Sequence, residues 1–179
     1  MRCERLDAAT HDRSDFDCGV DELNAYFRSA VDRDVETSVT QCFVLVDVAS
    51  PAVPLAYMTL AAASLAKEGL SAKLKRRFRY AQVPAARVGR LAVSTSAQGR
   101  GLGTRLIAHA AVRVARSDVA AALLLVDAKD GRAAGFYQSL GFRPLRGEAL
   151  VLYAATSQFV SELQAAEAAR TSEPSPPVP

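Results

Sequence analysis

Residues 87–116 read RVGRLAVSTSAQGRGLGTRLIAHAAVRVAR, and the order of residue types within them decides the fold. Residues 88–93 are a short apolar run with β-branched ends, which predicts a buried strand. Residues 94–98 are a polar loop, after which Gly99, Gly101 and Gly103 alternate with Arg100 and Leu102. From Thr104 the pattern turns helical: Leu102, Leu106, Ala110 and Val114 recur every fourth residue, with Arg105, Arg113 and Arg116 mostly off that stripe. The stretch is strand, glycine-rich turn, helix. The first N–H groups of a helix lack intrahelical partners, and the helix dipole favours negative charge beside them. Glycine lets the backbone reach positive φ and lets a ligand approach closely. Together these features predict a phosphate cradle built from main chain.

Three phosphate loops compete for this pattern. A Walker loop ends in Gly-Lys-Ser/Thr, whereas this one continues Gly103-Thr104-Arg105. A dinucleotide fingerprint needs G-x-G-x-x-G directly off a strand; here the spacing is G-x-G-x-G, and five residues separate strand from glycine. Gln98, Gly101 and Gly103 spell Q-x-x-G-x-G, which resembles the pyrophosphate loop of the GNAT N-acetyltransferases. GRLAV before the loop and DAKDGRAAGFYQSLGF after it resemble the flanking GNAT segments in the same order, and the resemblance extends over residues 16–153. FDCGVDELNAYF at 16–27 narrows it to the GNAT toxins of bacterial toxin–antitoxin pairs, which acetylate aminoacyl-tRNA.

Outward from this centre, the chain has 179 residues, enough for one domain with a sizeable core, and half of them are hydrophobic. A GNAT domain over 1–156, a helical extension over 157–170 and a disordered, proline-rich tail over 171–179 are expected. No apolar run reaches the ~18 residues of a membrane helix, and the N-terminus has no signal-like stretch, which points to the cytoplasm and away from membranes. Cys3, Cys18 and Cys42 form no C-x-x-C pair, and His11 and His109 are the only histidines, so reduced thiols and no metal site are expected.

Charge is uneven. Residues 69–117 hold Lys73, Lys75, Arg76, Arg77, Arg79, Arg87, Arg90, Arg100, Arg105, Arg113 and Arg116, and no Asp or Glu. A single-sign block attracts polyanions. Part of it can serve the phosphates of coenzyme A, but KLKRRFR at 73–79 lies too early for that. Lys73, Lys75, Arg76, Arg77, Arg79, Arg87 and Arg90 are therefore candidate nucleic-acid contacts, set against an ordinary solvated helix face for 73–79.

Taken in order, 1–6 reads as an edge strand. Residues 20–30 read as a helix with Leu23, Tyr26, Phe27 and Ala30 on its apolar face. Residues 39–48 and 55–63 read as an antiparallel pair broken by Ser50, Pro51 and Pro54. Residues 64–80 read as polar helical turns ended by Pro84. A strand at 119–126, parallel to 88–93 across the helical crossover, is followed by a helix at 133–140 capped by Gly141, a turn at Pro144 and a last strand at 149–154. The product is a mixed α/β sheet with helices on both faces. GNAT resemblance adds that the central parallel strands splay apart to admit the pantetheine.

The same resemblance distributes roles. Acetyl-CoA would be held at Leu91, Ala92, Val93, Gln98, Gly99, Arg100, Gly101, Leu102, Gly103, Thr104 and Tyr137, with a backbone N–H near Val93 as oxyanion donor. Tyr137 is the expected leaving-group acid, since a phenol of pKa ~10 can protonate a departing thiolate of pKa ~8.5. Phe136, adjacent on the same helix, is assigned to packing. No general base stands out: 88–93 carries no Glu, and Asp127 and Asp130 merely lie near a strand end. A lysine amine, pKa ~10.4, needs help to lose its proton near neutrality, whereas an α-amine at ~7.7–8.0 is already partly neutral. An α-amine on aminoacyl-tRNA therefore fits best. A protein N-terminus or small amine, or a non-catalytic CoA- or partner-binding module, remain as alternatives. The toxin resemblance implies a ribbon-helix-helix antitoxin and a homodimer.

Overall fold

The computed structural model of the chain describes residues 1–159. Seven strands form one sheet in the order β1-β2-β3-β4-β5-β7-β6. They are β1 (Arg2–Arg5), β2 (Gln41–Asp47), β3 (Ser50–Ala66), β4 (Gln82–Val93), β5 (Leu123–Asp127), β6 (Arg143–Leu145) and β7 (Glu148–Ala155). Only β4 and β5 run parallel; every other neighbouring pair is antiparallel. The crossover between β4 and β5 is α4 (Leu102–Ala115), and α5 (Gly131–Ser139) follows β5. Ahead of β2, α1 (Asp21–Ala25), a π-helical turn (Tyr26–Ala30) and α2 (Val31–Glu36) run as one helical segment.

Helices cover both faces, as the sequence pattern requires. On one face Leu102, Leu106, Ile107, Ala110, Ala111 and Val114 of α4 are buried against alternate strand residues such as Met58, Val88 and Val126. Each large apolar side chain so buried contributes about 1.5–3 kcal/mol. On the other face Phe27 and Val31 of the helical segment pack on Val44 and Tyr57, with the Phe27 and Tyr57 rings stacked 4.1 Å apart. Beside them Leu70 and Leu145 cover Val83, Leu123 and Leu125.

Several boundaries differ from the sequence reading for identifiable reasons. The helix expected at 20–30 continues to Glu36. Proline ordinarily breaks a strand, yet Pro51 and Pro54 lie inside β3. They sit beyond its last pair with β4, Ala56↔Val93, where a missing N–H removes no bond to β4. Pro84 likewise lies inside β4, ahead of its first pair with β5, Ala85↔Leu123. Residues 64–80 are strand as far as Ala66, and only 67–69 and α3 (Ala72–Lys75) are helical turns. β5 starts at Leu123 rather than 119, and Val119 is exposed. Pro144 sits within β6, an edge strand the hydropathy pattern did not reveal, and Gly147 at φ +89° makes the turn into β7. A helical turn begins at 156–159; the rest of the expected 157–170 helix and the 171–179 tail lie outside the described residues.

Candidate active site

The parallel pair comes apart halfway along. β4 and β5 are in register from Ala85↔Leu123 to Val88↔Val126, and no pairs follow. β5 ends at Asp127 while β4 runs on to Val93, still paired with β3. A bulge marks the parting point. Met58 opposes Leu91 and Leu60 opposes Val88, so Gly89 and Arg90 together face Thr59. The buried Thr59 hydroxyl accepts from Arg90 N–H at 2.9 Å, supplying the bond that the ladder lost. A β-carbon at Gly89 would stand 3.1 Å from that oxygen, so the bulge leaves little room for a side chain. Further on, Ser94 N–H donates to Leu55 C=O at 2.8 Å. Strand alternation then turns the N–H groups of Leu91 and Val93 away from β3, into the gap that β5 has vacated.

The loop after β4 points into the same gap. Gly99 (φ +76°) and Gly101 (φ +71°) are left-handed, and nothing lies within 4 Å of where their β-carbons would be. Backbone conformation, not crowding, demands glycine there, and the bare side stays open to a ligand. Gly101 is the N-cap of α4, and no side chain caps the helix, so its first N–H groups remain available. Gly103 is glycine for a different reason: a β-carbon would meet the Phe136 ring at 3.1 Å. Arg100 and Thr104 are exposed, whereas Leu102 is buried and can offer only its backbone.

Gln98 is not a ligand-facing side chain in this arrangement. Its Nε2 donates to Val93 C=O and to Cys18 C=O, both at 3.1 Å, tying the loop to the strand end and to the N-terminal segment. That segment is itself locked. Asp17 Oδ1 accepts from Gly19 N–H at 2.8 Å and from Asn24 Nδ2 at 2.7 Å; Asn24 Oδ1 accepts from Cys18 N–H at 2.8 Å. Asp17 C=O accepts from Thr95 N–H at 2.8 Å. These bonds hold the Asp17 carboxyl below its ordinary range, chiefly through Gly19 N–H and Asn24. The FDCGV motif is therefore a buttress for the loop, a role that sequence spacing did not disclose because its two ends lie far apart in the chain.

Across the gap stands α5. Asp130 caps it, accepting from Ala133 N–H at 2.8 Å, and that bond above all lowers its carboxyl pKa. Tyr137 is buried between Phe136 and Phe142, with ring centroids 5.1 and 5.7 Å away. Its hydroxyl has no hydrogen-bond partner among the described residues, yet it is not sealed from solvent. Burial, and then the charge of Asp127, push its pKa up to about 12. Phe136 is half-buried and wedges against the first turn of α4. Both aromatics thus pack, and Tyr137 is the more enclosed of the two.

The basic residues divide into two groups. Arg87 pairs with Asp127 at 3.1 Å, both about half exposed, and the Arg90 guanidinium lies 3.5 Å from the centroid of the Tyr26 ring. Lys73, Lys75, Arg76, Arg77 and Arg79 are exposed on and just after α3, with no ion pair among the described residues. The two carboxylates at and after the end of β5 are thus occupied: Asp127 by Arg87 and Asp130 by the helix it caps.

Residues 62–144 match the acetyltransferase (GNAT) domain family. Solved structures extend the likeness over most of the chain. AtaT complexed with acetyl-methionyl-tRNAfMet is 30% identical at a TM-score of 0.82, covering 90% of this chain and 98% of that one. A tyrosine-to-phenylalanine mutant of KacT is 28% identical at 0.82 over the same shares. The corresponding mutant type of the AtaT toxin, bound to acetyl-CoA and to the C-terminus of the antitoxin AtaR, is 30% identical at 0.76, covering 90% and 97%.

Proposed function

The chain belongs to the GNAT acetyltransferases and is an acetyl-CoA-dependent N-acetyltransferase, and from that premise we propose that it acetylates the α-amine of aminoacyl-tRNA as the toxin of a toxin–antitoxin pair. The observation that carries the reading is the half-open strand β4. Main-chain donors line the gap beside a glycine cradle, and Asp127 and Asp130, at the end of β5, are both committed.

The residues present fit the cofactor. Two left-handed glycines with open space beside them, an uncapped helix start and the inward N–H groups of Leu91 and Val93 match a phosphate-bearing, amide-containing ligand. When bound, acetyl-CoA supplies an activated thioester. In this reading the N–H groups of Gly101 to Thr104 hold the pyrophosphate, and Gln98 holds the loop that presents them. Leu91 and Val93 orient the pantetheine arm, and Val93 N–H polarises the thioester carbonyl. Tyr137 donates the proton that the departing sulfur needs. Its hydroxyl has no hydrogen-bond partner among the described residues to give up first, and it is protonated at neutral pH.

The acceptor follows from what the gap lacks. With Asp127 and Asp130 occupied, an amine of pKa ~10.4 would arrive protonated, whereas an α-amine at ~7.7–8.0 is already partly neutral and able to attack. The exposed cations at 73–79 add a surface for a polyanionic carrier of that amine. AtaT, complexed with acetyl-methionyl-tRNAfMet, supports the same substrate class. The AtaT–AtaR complex supports an antitoxin partner for this chain, and the toxin resemblance assigns that partner the ribbon-helix-helix type and this chain a homodimer. Among the described residues no helix is long and apolar enough to cross a membrane. In this reading the enzyme meets its charged-tRNA substrate in the cytoplasm.

The test is transfer of labelled acetyl from acetyl-CoA to bulk charged tRNA, with uncharged tRNA and a peptide pool alongside. Label on charged tRNA alone is the expected result. Label confined to peptides or small amines would keep the acetyltransferase and discard the tRNA substrate.

A further inference from the structure

The segment between β3 and β4 is pinned along one side only. Leu70, Leu74 and Phe78 recur every fourth residue; Leu70 is buried, and Leu74 and Phe78 pack against the cluster that contains Val83, Leu123, Leu125 and Tyr153. Hydrogen bonds fix the main chain: Lys67 N–H donates to Ala81 C=O at 2.9 Å, Arg146 N–H to Gly69 C=O at 3.1 Å, and Ser71 N–H to the Tyr153 hydroxyl at 2.8 Å. The remaining side chains face water, and Lys73, Lys75, Arg76, Arg77, Arg79 and Tyr80 are all exposed. With its ends tied and its apolar residues turned in, this is a compact loop that displays cations and one ring.

Tyr80 is the anomaly. It is 77% exposed, more than any other large hydrophobic side chain of the described residues, and it is the one aromatic in a group otherwise made of Val39, Val48, Val53, Val119 and Leu150. Its ring makes no hydrogen bond, ring contact or cation–π contact among the described residues. A tyrosine left bare beside a run of cations offers a flat apolar face to a ligand. Its place in the fold suits the open half of β4. Tyr137 and α4, whose start forms the cradle, lie on the sheet face of Leu124 and Val126, whereas the loop lies on the face of Leu123 and Leu125. The cofactor takes the first face, which leaves the acceptor the face that carries Tyr80. Along β4, Gln82 is roughly 23 Å from the bulge at Gly89, at about 3.3 Å per residue. That is too far for one nucleotide and within reach of a short single strand that starts in the gap.

We propose that Tyr80 stacks on an unpaired base near the aminoacylated 3′ end of the acceptor RNA, while the cations at 73–79 hold the flanking phosphates. This rests on the charged-tRNA reading and adds to it a contact that is not ionic. Paired bases hide their faces inside the helix, so a protein ring takes an unpaired one. Every base has a π face, so the contact grips the single-stranded end without selecting one sequence. Other partners fit less well. A lipid surface takes several apolar side chains, and here Leu70, Leu74 and Phe78 are turned into the core, leaving a single ring. An acidic protein segment would use the cations and has no need of the bare ring.

The experiment uses the full chain and reads two quantities: fluorescence anisotropy of dye-labelled, uncharged bulk tRNA, and KM for charged tRNA in the acetyl-transfer assay. Tyr80→Ala is expected to weaken binding and raise that KM about tenfold, with kcat and KM for acetyl-CoA within about twofold of the parent. Tyr80→Phe keeps a π face and should match the parent, whereas Tyr80→Leu keeps apolar bulk alone and should behave like the alanine variant. The salt dependence of binding should be the same in every variant, because stacking releases no counterion. A blunt RNA hairpin without a single-stranded end should bind the parent and Tyr80→Ala alike. The proposal is overturned if Tyr80→Ala or Tyr80→Leu binds tRNA like the parent, if the blunt hairpin shows the same loss, or if poly-glutamate binds as tightly as tRNA and with the same dependence on Tyr80. Acetyl transfer to charged tRNA with binding indifferent to Tyr80 would sink the stacking contact and keep the substrate. Binding that depends on Tyr80 without any transfer would keep the contact and discard the substrate.

Discussion

The two halves of β4 have the same neighbours on one side and different ones on the other. Residues 85–88 are bonded to β3 and β5, and Ala85, Ala86 and Val88 are buried. Residues 89–93 keep β3 and lose β5, with the bulge at Thr59 between the two halves. The first half is ordinary core, where a side chain is worth what it buries. The second half presents backbone, and its value is in donors that the fold leaves unused. A single strand thus serves stability at one end and chemistry at the other. Substitutions should separate along that line.

The largest expected effect falls on the open side. Tyr137→Phe deletes a hydroxyl without a hydrogen-bond partner among the described residues, so thermal stability should hold near neutral pH while kcat drops about 10³-fold. Burial favours the neutral phenol in the folded state, so its stabilisation is complete below pH 10 and is lost as pH rises from 10 towards about 12. The phenylalanine variant should lack that alkaline loss, and in the parent Tyr137 should cause no fall in kcat below about pH 11. A kcat within tenfold of the parent would remove Tyr137 from the chemistry. Next comes the closed side. Leu125→Ala, fully buried on β5 opposite Arg87, should cost about 3 kcal/mol in denaturant unfolding and leave acetyl-CoA affinity of the folded fraction unchanged. Parallel loss of affinity would mean that the two halves are coupled.

Smaller still is the effect of the anchor between strand and loop. Gln98→Ala removes both donations, to Val93 and to Cys18, without touching the cradle N–H groups. A loosened loop should raise KM for acetyl-CoA about tenfold and leave kcat within about twofold, because Tyr137 and β4 stay in place. Initial-rate kinetics separates these outcomes, and an equal fall in kcat would place Gln98 in the reaction rather than beneath it.

What could be read from the chain follows the same division. The strand–turn–helix at 87–116 was legible because its demands are written in glycine, and the positive φ values at Gly99 and Gly101 are what such spacing encodes. The opening of the gap was not, because it depends on where β5 stops and on a bulge held by Thr59, neither of which leaves a periodic trace. FDCGV was recognisable by resemblance, but its purpose needed Cys18 and Gln98, 80 residues apart, to be seen in contact. Pro51, Pro54 and Pro84 misled, since proline breaks a strand only where its N–H would have been used. Seven basic residues looked equivalent in the sequence; only contacts divide them into engaged and free.

That last division gives the finest test. The Arg87–Asp127 pair is too exposed to matter much for folding, so Arg87→Gln should shift stability by no more than about 0.5 kcal/mol. Its guanidinium is committed to Asp127, and KM for charged tRNA should stay within about twofold. Arg76 has no ion pair among the described residues. If the 73–79 surface meets RNA phosphates, Arg76→Gln should raise that KM by about threefold and reduce its salt dependence by roughly one counterion. The reverse ranking would move the RNA track from α3 onto the mouth of the gap. The Arg87→Gln variant would also free Asp127, and new activity towards a lysine-bearing peptide in that variant would identify the pair as what keeps a carboxylate base out of this site.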